Sequence, residues 1–135
     1  GGYPAARDRI VQTLQDYSTT NPVFLGGDVH SYWVTDIKAD WRDADSATVA
    51  SEFVGTSITS GGGDMDTYNA LLPQNPHVGF IETRERGYML CEVNTDEWRT
   101  AHRSMPDARL VDPNATLSTA RSFVVENGRA GAQRA

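Results

Sequence analysis

The segment "VFLGGD" at 23–28 constrains the fold of this chain more than any other feature. Its first three residues are apolar, so a strand built from them is apolar on both faces and needs a covering layer on either side. A helix is predicted just before it, over 3–18, because Pro4 suits a first helical turn and apolar residues recur at i, i+4 spacing. The apolar face of this helix is predicted to hold Ala6, Ile10, Leu14 and Tyr17, with Val11 beside them.

Strand-like segments dominate the rest of the chain. The alternating segment 31–41 and the β-branched segment 48–59 each predict a strand. Later segments predict, in order, a short helix at 65–72, a strand at 77–83, a hairpin of 87–93 with 97–105, a polar connection at 105–115 and a last strand at 118–128. The sequence therefore predicts a strand-rich α/β fold with one clear helix, in a single domain over 1–127 with a frayed tail over 128–135.

The predicted elements are too few for a complete layered domain. The chain has 135 residues, enough for one core, but a pair of sheets needs helices on both outer faces and this chain supplies little helix. The first residues also read as the interior of a longer protein, without an initiating Met or a leader. We therefore expect part of the domain to lie elsewhere, and we expect an open sheet edge to favour self-association.

Charge and composition exclude several classes of partner. The formal net charge is −6, and no block of Lys and Arg is present, so a nucleic-acid-binding surface is not expected. No apolar run approaches the ~20 residues that a membrane helix requires. The single cysteine, Cys91, forms no internal disulfide and is expected to be a small buried apolar residue rather than a nucleophile.

Asp28 and His30 follow the predicted buried strand, at the end where ligands gather in α/β proteins. Gly26 and Gly27 are expected to allow a sharp turn or a close approach there. A carboxylate suits a hard cation and an imidazole suits iron, zinc or manganese, so this loop could serve a pair of metals ~3.5–4 Å apart. The alternative is an ordinary turn with a hydrogen-bonded histidine. Two ligands are also too few, since catalytic metals usually have three or more protein ligands.

Several other residues have both a functional and a structural interpretation. Ser31 could hydrogen-bond a metal ligand, and Trp33 could form a wall of the pocket or belong to a sheet face. Hydroxyl groups in 56–62 could border the site or cap a strand. Arg84 and Arg86 could reach a phosphate or lie in a solvated turn. Structural roles are favoured for Asp64 and Asp66 in a glycine-rich turn, for His77 at a strand junction, for His102 paired across a sheet, and for Trp41 and Trp98.

Six segments together resemble the carboxy-terminal part of the PhoD-like alkaline phosphatases, in the same order as in that family. They are "GYPAARDRI", "NPVFLGGDVHSYWVTDIKAD", "ASEFVGTSITSGGG", "NPHVGFIETRERGYMLCEV", "DEWRTAHR" and "STARSFVVENGRAG". The family belongs to the calcineurin-like metallophosphoesterase superfamily. The resemblance implies the carboxy-terminal half of a β-sandwich whose two sheets pack face to face with helices outside.

The resemblance also implies a function. Gly27-Asp28-Val29-His30 matches the Gly-Asp-x-His form of the superfamily's last metal motif, so Asp28 and His30 are expected to bind one metal each in a two-metal centre of iron and calcium. The full-length enzyme would hydrolyse phosphate esters with a metal-activated water. The remaining ligands would come from a missing amino-terminal half, so the chain alone is expected to be inactive. Family members resemble exported proteins, which implies an extracellular, periplasmic or cell-envelope location. The alternative is a non-catalytic module that pairs with another chain.

Overall fold

A computed structural model describes residues 2–105 and 111–135; residues 106–110, within the predicted connection at 105–115, lie outside the described part. Two four-stranded sheets pack face to face, in agreement with the predicted strand-rich sandwich. The elements are α1 Pro4–Asp16, β1 Val23–Gly26, β2 Tyr32–Lys38, β3 Thr48–Val54, α2 Met65–Leu71 with a 3-10 turn Leu72–Gln74, β4 Val78–Glu82, β5 Arg86–Val93, β6 Glu97–Met105, β7 Ser118–Glu126 and β8 Gln133–Arg134.

The first sheet has the order β1-β3-β2-β4, with β1 parallel to β3 and the other pairs antiparallel. Helix α1 covers part of its outer face, where Val11 packs with Ile37 and Ala50. The predicted apolar face of the helix is only partly correct. Ile10 is 50% exposed and Tyr17 is 81% exposed, because α1 contacts the sheet mainly through the side that carries Val11.

Strand β1 differs from the prediction of a strand buried on both faces. It lies at the edge of the first sheet and, among the described residues, pairs with β3 alone. Val23 and Phe24 are half-buried, whereas Leu25 is 57% exposed. The apolar sequence of β1 is therefore only partly covered by this chain.

The second sheet has the order β5-β6-β7-β8. The hairpin of β5 and β6 confirms the prediction, and Asn94 accepts hydrogen bonds from the turn N–H groups through Oδ1.

The prediction of a frayed tail over 128–135 is wrong for β8, whose two residues pair with Phe123 and Val124. The Asn21 side chain also accepts a hydrogen bond from the Gly128 N–H at 3.0 Å, which ties the segment to the start of β1.

The core between the sheets contains Val34 and Phe53 from the first sheet and Phe123 and Val125 from the second. Trp98 packs against this cluster, as a sheet-face residue should.

Cys91, expected to be buried, is only half-buried; its Sγ lies 3.8 Å from Thr100 Oγ1. No helix in the described part of the chain is both long and apolar enough to cross a membrane.

His102 lies fully buried in this core. It pairs with Met89 and Arg121 across the second sheet, which confirms the predicted strand role, and its ring stacks on Tyr32 with centroids 4.3 Å apart. Neither ring nitrogen has a hydrogen-bond partner within residues 2–105 and 111–135. Burial, with a smaller contribution from the positive charge of Arg121, lowers the pKa of His102 to about 4, so the ring is neutral at pH 7.

Candidate functional site

The loop between β1 and β2 carries Asp28 and His30 in the left-handed region of backbone space, with φ of 76° and 52°. Gly26 and Gly27 were expected to allow a sharp turn or a close approach. Neither has positive φ, but Gly26 does provide a close approach, since a Cβ atom there would lie 3.3 Å from Val54 Cγ2. A left-handed non-glycine residue costs roughly 1–2 kcal/mol, and such residues cluster at ligand-binding sites.

The His30 ring is oriented by a backbone carbonyl. Its Nδ1 lies 3.2 Å from the Gly61 carbonyl oxygen. A carbonyl only accepts, so this contact favours the tautomer in which Nδ1 carries the proton and donates it to Gly61. The lone pair of Nε2 then stays free, which is the arrangement that metal-binding histidines adopt. The Asp28 carboxylate is exposed and, among the described residues, has no hydrogen-bond or ion-pair partner.

Arg86 joins this loop to two others. Its Nη1 donates to the His30 carbonyl at 2.9 Å, to the Ser60 carbonyl at 2.6 Å and to Ser57 Oγ at 2.9 Å, and its Nη2 donates to the Thr83 carbonyl. The residue is only 4% exposed. Burial lowers the pKa of Arg86. Its guanidinium is therefore bound to protein acceptors, so Arg86 takes neither of the roles considered for it, a solvated turn or a phosphate contact.

Gly62 is required where these loops meet. A Cβ atom there would lie 2.1 Å from the Thr83 carbonyl oxygen and 2.7 Å from that of His30. Both are backbone atoms, so a side chain at position 62 would separate the loops. The packing at this point leaves room only for glycine.

Ser31 and Trp33 hold the loop between β1 and β2 in place through hydrogen bonds and ring packing. Ser31 is fully buried, and its Oγ donates to the Val29 carbonyl at 3.1 Å and accepts from Trp33 Nε1 at 2.7 Å. The Trp33 ring meets Tyr68 of α2 edge to face, with centroids 5.3 Å apart. These two residues hold the backbone beside His30, while a direct role at a metal or substrate stays a prediction.

The remaining candidates have structural partners. Asp64 caps α2 by accepting hydrogen bonds from Thr67 and from the Asp66 N–H, and the bonds from Thr67 lower the pKa of Asp64. Thr56 Oγ1 donates to the Glu85 carbonyl at 3.1 Å. Arg84, whose side chain is exposed, forms an ion pair with Glu82 at 3.2 Å. The ring centroids of His77 and Trp41 lie 4.8 Å apart, and Trp41 also packs beside α1.

The described residues do not bring together a complete set of metal ligands. No group of three or more His, Cys, Asp or Glu side chains within them is placed to do so. The free Nε2 of His30 and the exposed carboxylate of Asp28 fit two positions of a larger ligand set. Sequence reasoning missed the role of Arg86, and no local pattern distinguishes this buried arginine from a solvated one.

A family model, a related protein and a solved structure all match this chain, and the three matches agree with one another. A family model described as PhoD-like phosphatase matches residues 1–102. The chain is 37% identical over 136 aligned residues to alkaline phosphatase D of Bacillus subtilis (strain 168), covering 98% of this chain and 23% of that protein. A solved structure described as "Structure of PhoD" matches with a TM-score of 0.86 and 37% identity, covering 98% of this chain and 26% of that one. The chain thus spans about a quarter of the length of these relatives.

Proposed function

Because the chain belongs to the PhoD-like phosphatase family, we propose that it forms the carboxy-terminal part of a metal-dependent phosphatase or phosphodiesterase that hydrolyses phosphate esters. The observation that carries this proposal is the His30 imidazole, with Nδ1 facing the Gly61 carbonyl and Nε2 free, on the same loop as the exposed carboxylate of Asp28. The amino-terminal part of the protein would supply the other ligands, consistent with the quarter of the relatives' length that this chain spans.

Asp28 and His30 are proposed to bind one metal each of a two-metal centre. The metals, when bound, supply a hydroxide near neutral pH and neutralise charge on the phosphoryl oxygens. The His30 Nε2 suits iron and the Asp28 carboxylate suits the harder calcium ion, which supports iron and calcium as the pair. The Gly61 carbonyl orients the imidazole, and Arg86 holds the backbone at His30 through the carbonyl oxygen of that residue.

The protein is further proposed to act at an extracellular, periplasmic or cell-envelope location, on grounds of family membership. The 135-residue chain alone is proposed to be inactive, since its described residues hold two ligands of the set. One side of β1 has no partner strand within residues 2–105 and 111–135, and it offers an edge to the amino-terminal part of the protein or, in its absence, to a second copy.

Single substitutions in the full-length protein test the metal assignment. Asp28→Ala and His30→Ala should each lower turnover of a phosphate ester by orders of magnitude and reduce bound metal, because each removes a ligand. Asp66→Ala, which removes a carboxylate outside the loop, is the matched control and should leave both quantities near wild type. Metal stoichiometry that stays unchanged in both loop variants would remove Asp28 and His30 as ligands.

A further inference from the structure

A cavity of about 310 Å³ lies on the outer face of the first sheet, under α2. Val34 and Phe53 face the core between the sheets, so their strand neighbours Thr35 and Glu52, which pair with each other, face outward into this cavity. Four aromatic side chains, Trp33, Trp41, Tyr68 and His77, form part of the walls, and most of the remaining wall is aliphatic. The cavity does not include Asp28 or His30, and the proposed metal chemistry does not use it.

The aromatic walls are held as two perpendicular pairs. The rings of Trp33 and Tyr68 lie 5.3 Å apart at 90°, and those of Trp41 and His77 lie 4.8 Å apart at 80°. Edge-to-face packing of this kind holds the rings against each other. The Arg7 guanidinium already lies over the Trp41 ring, 5.0 Å from its centroid, so Trp33 and Tyr68 are the rings that lack a cation partner among the described residues. Aromatic faces attract cations, most strongly when the cation carries apolar substituents that also bury.

Glu52 provides the charge of the cavity. It is half-buried, and among the described residues its carboxylate has no hydrogen-bond or ion-pair partner. Burial raises the pKa of Glu52. Of the described residues that line the cavity, Glu52 is the one acidic or basic side chain apart from His77, whose pKa is lowered chiefly by burial. A half-buried carboxylate without a partner is unfavourable, and a bound cation would relieve that cost.

We infer that this cavity is a binding site for a small organic cation of the quaternary ammonium class, with Glu52 as counter-ion and the aromatic rings as walls. The carboxylate repels anionic ligands. A hard metal ion needs six or more oxygen ligands, which walls of this composition do not supply. A ligand that is both apolar at its surface and positively charged matches the aromatic rings and the carboxylate together.

The test uses the full-length protein with choline as the probe, followed by tryptophan fluorescence and calorimetry. Dimethylbutanol, in which carbon replaces the ammonium nitrogen, has the same shape without the charge. Choline should bind with a millimolar or lower Kd and at least about tenfold more tightly than dimethylbutanol. Glu52→Gln, nearly isosteric, should weaken choline binding by at least about tenfold, whereas the exposed control Glu92→Gln should not.

Three results would overturn the inference. They are equal affinity for choline and dimethylbutanol, unchanged choline binding in Glu52→Gln, and no saturable binding of choline up to about 50 mM. Preferential binding of glucose, a neutral ligand that also stacks on aromatic rings, would likewise reject a cation site. Because choline and dimethylbutanol are compared in the wild-type protein, this part of the test does not depend on whether any variant folds. His30→Ala should retain choline binding, so failure of the proposed metal site and failure of this cavity give different results.

Discussion

The buried imidazole of His102 should make the stability of this fold depend on pH. In the folded chain the ring has no hydrogen-bond partner among the described residues, and its pKa is lowered from 6.5 to about 4. Protonation is therefore easier in the unfolded chain than in the folded one. The resulting stability is fully present above pH 6.5 and is lost as the pH falls toward 4.

The size of this effect follows from the two pKa values. The interval between 6.5 and about 4 corresponds to a loss of about 3.4 kcal/mol once both states are protonated. About 2 kcal/mol of this should already be lost between pH 7.5 and pH 5, because the unfolded imidazole is almost fully protonated at pH 5 and the folded one is not. Other groups titrate in the same range, so the effect must be isolated by comparing variants.

His102→Phe keeps an aromatic ring stacked on Tyr32 and removes both ring nitrogens. Urea unfolding of the wild-type chain and this variant at pH 7.5 and pH 5 gives the free energy of unfolding for each. The fall in stability between the two pH values should be smaller in His102→Phe by about 2 kcal/mol. His77→Gln is the matched control: its imidazole is more exposed than that of His102, so the change should be smaller. An equal pH dependence in wild type and His102→Phe would refute the reasoning.

Four further predictions concern the loops and the chain as a unit. Arg86→Met should lower the free energy of unfolding by about 2–4 kcal/mol in urea titrations, because several buried acceptors lose a charged donor; an equal effect from the exposed control Arg84→Met would contradict this. Gly62→Ala should lower both the thermal midpoint and the metal content of the full-length protein, since a Cβ atom meets two carbonyl oxygens; a wild-type midpoint would show that the loops have room. The pure, metal-reconstituted 135-residue chain should not hydrolyse a chromogenic phosphate ester above background, and light scattering should show self-association; hydrolysis, or a clean monomer at high concentration, would count against the respective expectation.

The elements with strong local signals were predicted well. The hairpin of β5 and β6 has alternating strands around a polar turn, and α2 begins at an aspartate that caps it. Both signals lie within a few residues of the structure that they specify, so the sequence alone carries them. Strand β8 has only two residues, too few to show a strand periodicity. It is ordered because it pairs with β7, and no local sequence pattern predicts that pairing.

The choice of Asp28 and His30 as site residues stays a prediction, and the way the loop is built around them was not foreseen. Asp28 and His30 were proposed from their motif, and the preceding glycines were expected to give a sharp turn or a close approach, because glycine most easily adopts positive φ; the positive φ values lie at Asp28 and His30 instead. The buried role of Arg86 depends on carbonyl groups from three loops that meet only in the folded chain. Burial and long-range hydrogen bonds of this kind arise from tertiary packing, and the secondary-structure propensities of individual residues do not encode them.

The left-handed backbone at Asp28 and His30 has a consequence for protein engineering. A redesign that optimises thermal stability favours glycine or asparagine at positions with such φ values, because these residues adopt them at lower cost. Applied here, that procedure would replace the two proposed metal ligands first and give a more stable protein without its site. Stabilisation of this fold should therefore begin elsewhere, for example at exposed positions of α1, with the loop between β1 and β2 held fixed.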